Sequence, residues 1–119
     1  MGWFSRNDKA DMFLATVLPN GDGARVERYL GIVNGEAIIG ANLFRDMFAS
    51  IRDVVGGRAA SYERGLTGAR DAAVEDMIAA ARSLGADGIV GIDFDYEVLG
   101  EKNGMMMVTV SGTAVKMAA

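Results

Sequence analysis

The segment from Leu84 to Glu97 constrains this chain more than any other. It closes a helical pattern at Gly85, then alternates apolar and acidic residues in two-residue register. Successive side chains of a strand point to opposite faces, so such alternation divides the segment between two environments. Val90, Ile92, Phe94, Tyr96 and Val98 are predicted on one face, with Gly91, Asp93, Asp95 and Glu97 on the other. One covered face and one wet face belong to an antiparallel sheet rather than to a parallel strand buried on both sides. After the turn-forming stretch from Gly100 to Gly104, Met106, Val108, Val110, Gly112 and Ala114 resume the alternation. Two such runs around a short Gly-bearing loop predict a β-hairpin. With Leu99 opposite Met105, Asp95 faces Thr109 and Asp93 faces Ser111. The polar side of the hairpin then carries acids on one strand and hydroxyls on the next.

Upstream, Asp11 to Leu18 is a short β-like run closed by the turn signal from Pro19 to Gly23, and Val26 to Ile39 is a longer one. The two are predicted to pair as a first hairpin. Asn34 and Gly35 suggest a bulge or bend within the longer strand. Asn42 is placed to cap a helix bearing Phe44, Met47, Phe48, Ile51 and Val55, which Gly56 and Gly57 end. Ser61 is placed to cap a second helix, with Glu63 in its first turn. Its stripe runs Leu66, Ala69, Ala73, Met77, Ala80 and Leu84, widened by Val74 and Ile78, and Gly85 stops it. The alanines suit close approach to a sheet, while Gly65 and Gly68 weaken the first turns. The order strand, strand, helix, helix, strand, strand predicts an α+β two-layer sandwich: an antiparallel sheet of two hairpins with helices on one face. Residues 1–10 are expected to form an N-terminal arm, and residues 11–119 a single domain.

Composition narrows the chemistry. The chain has 119 residues, half of them apolar, and a formal net charge of −4. It lacks the basic footprint of sequence-independent nucleic-acid binding. With no cysteine and no histidine, disulfides and thiolate or imidazole metal ligands are excluded, and any general base is a carboxylate, Lys or Tyr. No run reaches the length of a membrane span, and the N-terminus has no secretory apolar core, so the cytoplasm is the expected compartment. Trp3 and Phe4 precede a polar stretch and read as either a docking arm or a loosely held terminus.

Asp93, Asp95 and Glu97 are the candidate metal ligands. Their Cβ atoms stand about 6.6 to 7 Å apart along a strand, which lets two carboxylates approach one hard, oxygen-seeking divalent cation. Neighbouring subunits are one source of further ligands. The other reading is a solvated strand face whose charges resist edge pairing. Gly56, Gly57 and Arg58 form either an anion cradle before a helix or a plain interhelical turn. Tyr62 and Glu63 are adjacent on a helix and point in different directions, so they make no acid–base pair. Met105 and Met107 fall on the polar side of their strand. They read either as apolar cover for a second subunit or as a soft-metal thioether pair. No catalytic constellation is recognisable, and the expectation is a non-enzymatic protein.

The run from Gly31 to Asp46 resembles the central block of the YbjQ family. Asp53 to Arg58, Ala69-Arg70, Leu84 to Asp87 and Val110 to Val115 resemble its further blocks, in order. The resemblance spans roughly residues 26 to 117. It implies a dodecin-like α+β subunit, a homo-oligomeric ring with five members expected, and the family's heavy-metal-binding label. The expected function is therefore a self-assembling protein that holds a divalent metal ion or small ligand at subunit interfaces. The alternative is an interaction module displaying the Trp3-Phe4 arm to a protein partner or a membrane surface.

Overall fold

The computed structural model describes residues 12–19, 25–40, 43, 60–99 and 104–118. In chain order the elements are β1 (Phe13–Leu14), β2 (Val26–Ile39), α1 (Ala60–Ser83), β3 (Gly88–Leu99) and β4 (Met105–Met117). The strands form one sheet in the order β1-β3-β4-β2. The long pairs β3/β4 and β4/β2 are antiparallel, and β1 joins the outside of β3 in parallel.

α1 lies along one face of the sheet, mainly over β2 and β4. Ala73, Met77 and Ile78 of the helix close a core with Val33, Val108 and Val110 of the strands. Close approach is built in at Gly35. A Cβ there would overlap the Ala73 carbonyl oxygen and stand 2.7 Å from the Met77 amide nitrogen. The helix backbone rests directly on the strand backbone, as the alanine-rich stripe predicts. The helix stops by backbone hydrogen bonds that wrap its last turn: Ala86 N–H donates to Ala81 O at 3.1 Å and Gly85 N–H to Arg82 O at 2.9 Å. This is the pattern of a glycine stop, as the sequence predicts at Gly85. Among the described residues no helix is long and apolar enough to cross a membrane.

The α+β two-layer reading stands, and so does the second hairpin: Leu99 pairs with Met105, Asp95 with Thr109 and Asp93 with Ser111. The first hairpin does not form. β1 is only Phe13–Leu14, and it pairs with Gly88 and Ile89 rather than with β2, which makes the sheet mixed. β2 runs through Asn34 and Gly35 without a register shift; its irregularities lie at Val26/Arg28 and Tyr29/Gly31. Gly35 serves helix contact, not a bend.

β3 holds the shift that alternation hides. Between the pairs Val90–Thr113 and Asp93–Ser111, Gly91 and Ile92 oppose the single Gly112. Gly91 has φ +65°, a left-handed conformation that side chains with a Cβ resist. Because of this bulge Val90 shares the face of Asp93, not that of Phe94. Val90 and Val115 are accordingly buried outside the main core cluster. Two helical details also move. α1 begins at Ala60, so Ser61 lies inside its first turn, and Leu84 lies past its end and is exposed. The first helix, from Asn42 to Val55, and residues 1–10 lie outside the described residues apart from Leu43.

Candidate functional site

The face of the sheet opposite α1 collects the candidate residues in rows across β3, β4 and β2. One row reads Asp93, Ser111, Asn34; the next Asp95, Thr109, Glu36; the third Glu97, Met107, Ile38. Asp93, Asp95, Glu97, Asn34 and Glu36 are all exposed. Ile32 and Ile38 flank the acids on β2 at 82% and 58% exposure, unusually open for β-branched residues on a sheet face. The face is thus an acidic, hydroxyl-bearing middle between apolar margins.

The acids stand in one column along β3, as alternation predicts, and Glu36 adds a fourth carboxylate from β2. Strand geometry keeps them apart: about 6.6 to 7 Å along β3, and roughly 9 to 10 Å from Asp95 to Glu36 with β4 between. Among the described residues no three Asp, Glu, His or Cys gather closely enough to hold a metal ion. Among the described residues the face therefore presents separate carboxylates and neighbouring hydroxyls rather than a closed set of ligands.

Four polar contacts that sequence reading misses hold this frame. Asp87 accepts a hydrogen bond from the Met117 N–H at 2.7 Å and faces the Lys116 ammonium at 3.6 Å, fastening the start of β3 to the end of β4. Arg70 Nε donates to the Tyr96 hydroxyl at 2.6 Å, with its guanidinium carbon 5.5 Å from the ring centroid, tying α1 to the far half of β3. Asp76 accepts from the Glu36 N–H at 3.3 Å. That amide belongs to the sheet's outer strand, so the helix carboxylate occupies part of an open edge. Each contact joins residues far apart in sequence, and no local pattern marks it. Glu63 lies in the first turn of α1. Gly56, Gly57, Arg58, Trp3 and Phe4 lie outside the described residues, as does the side chain of Tyr62.

Comparison with known proteins adds two findings. Residues 12–118 match the YbjQ family, which carries the description "Putative heavy-metal-binding". The fold is similar to a crystal structure of a protein of unknown function of the DUF74 family from Pediococcus pentosaceus ATCC 25745. The TM-score is 0.59 at 18% identity, over 90% of this chain and 98% of that one.

Proposed function

The chain belongs to the YbjQ family, and from that premise we propose a non-enzymatic, cytoplasmic protein that assembles with copies of itself. In this reading the copies close a ring of five and hold a small ligand or a hard divalent ion where they meet. The observation that carries it is the sheet face opposite α1, where Ile32 and Ile38 lie open beside the Asp93, Asp95 and Glu97 column. Exposed apolar residues at the margins of a polar patch are what an interface between subunits buries. The carboxylates of one strand are too far apart to enclose an ion, and apposed copies would supply the missing oxygens.

Native mass spectrometry with elemental analysis, on protein purified without chelator or affinity metal, reads stoichiometry and bound ion together. The expected result is a closed oligomer. Divalent ions raise its melting temperature, and Asp93→Asn with Asp95→Asn abolishes that rise. A monomer, or a melting temperature unmoved by a panel of divalent ions, sinks the respective half of the reading.

A further inference from the structure

We propose that Met105 and Met107 form a thioether site for a soft monovalent cation of the Cu(I) and Ag(I) class. With no cysteine and no histidine, methionine sulfur is the only soft donor this chain owns. The structure divides its methionines by use. Met12, Met77 and Met106 are buried in the core and committed to packing. Met105 and Met107 are half-buried on β4 and alternate with Met106, so both stand on the face opposite α1.

Their Cβ atoms lie about 6.6 to 7 Å apart, and each sulfur ends an unbranched, flexible side chain that adjusts to close on a shared ion. The surroundings suit a cation. Met107 is paired with Glu97 on one side and Ile38 on the other, and Met105 is paired with Leu99. A directly opposed residue has its Cβ about 4.5 to 5.5 Å away, which brings the Glu97 carboxylate within reach of an ion on Met107. That carboxylate offsets the single positive charge, while Ile38 and Leu99 add apolar flanks that limit competing water. Thioethers bind soft cations and neglect Mg²⁺ and Ca²⁺. The site therefore differs in chemistry from the hard-ion reading of Asp93, Asp95 and Glu97, with which it shares Glu97 alone, and it requires no second subunit.

Silver(I) is the probe, because it needs no reductant. The full chain, with carbon-13 in its methionine methyl groups, is titrated with silver nitrate in chloride-free buffer. Native mass spectrometry reads the stoichiometry. One silver ion is expected per chain, with the methyl signals of Met105 and Met107 shifted and that of buried Met77 unmoved. Met105→Leu with Met107→Leu keeps the apolar volume and is expected to lose the ion. Each single variant keeps one sulfur and is expected to weaken binding by at least about tenfold, so the site stays testable if the double variant folds poorly. Glu97→Gln is expected to weaken it by about tenfold. Binding that survives both single leucine variants, or shifts confined to Met117, Met1 or Met47, overturns the assignment. Asp93→Asn with Asp95→Asn is expected to leave silver binding unchanged, which separates failure here from failure of the divalent-ion reading.

Discussion

At the residue scale, the tightest point is Gly35, where no Cβ fits without moving the Ala73 carbonyl of α1. Gly35→Ala is expected to destabilise the fold by about 1 to 3 kcal/mol, since backbone rather than a flexible side chain must give. The urea midpoint of unfolding measures it. Asp87 works by the opposite means, holding a strand end through the Met117 N–H and the Lys116 ammonium. Its carboxylate is partly exposed and Met117 only half-buried, so water replaces part of what is lost. Asp87→Ala is expected to cost about 1 kcal/mol, read by the same titration.

At the element scale, α1 carries Gly68 on its exposed side, with nothing within 4 Å of where a Cβ would stand. Gly68→Ala is expected to stabilise the protein by about 0.5 to 1 kcal/mol by limiting the unfolded chain and favouring helix. A raised thermal midpoint checks it. The β3/β4 hairpin was legible to the single pair, because both strands alternate cleanly and one loop joins them. The acid column and its hydroxyl partners followed from that register. β1 was not legible, because two residues carry no period, and their partners Gly88 and Ile89 lie far along the chain. The β3 bulge was hidden for a related reason. Val90, Ile92 and Phe94 keep a perfect alternation in sequence while Gly91 shifts the backbone beneath it. Gly35 looked like a bend because glycine marks both bends and close contacts, and only the helix above it decides between them.

At the scale of the whole molecule, one face of the sheet is closed by α1 and the other keeps its isoleucines in the open. Ile32 in a single chain contributes little, since its side chain is 82% exposed. Ile32→Asp is therefore expected to change the stability of a single chain by no more than about 0.5 kcal/mol. In the proposed assembly the same change buries a charge between copies, and the oligomer is expected to dissociate. Analytical ultracentrifugation beside a denaturation curve separates the two effects. An oligomer that survives places its contact elsewhere on the molecule.

The bulge at Gly91 also makes β3 a strand of two phases. On its near side Ile89 points into the core, and on its far side Phe94 does the same, although five positions, an odd number, separate them. Straightening the strand with Gly91 kept would throw the halves out of phase, like a frame shift written in side chains. Either Ile89 leaves the core and Val90 enters it, or the acids turn inward beneath the helix and Phe94 turns out. The bulge is thus what absorbs the spare residue, so that one strand serves the core at one end and presents carboxylates to the outside at the other. Gly91→Val, whose side chain resists φ +65°, should lose cooperative unfolding in a urea titration, whereas a Gly91 deletion keeps Ile89 and Phe94 in phase and should only soften it.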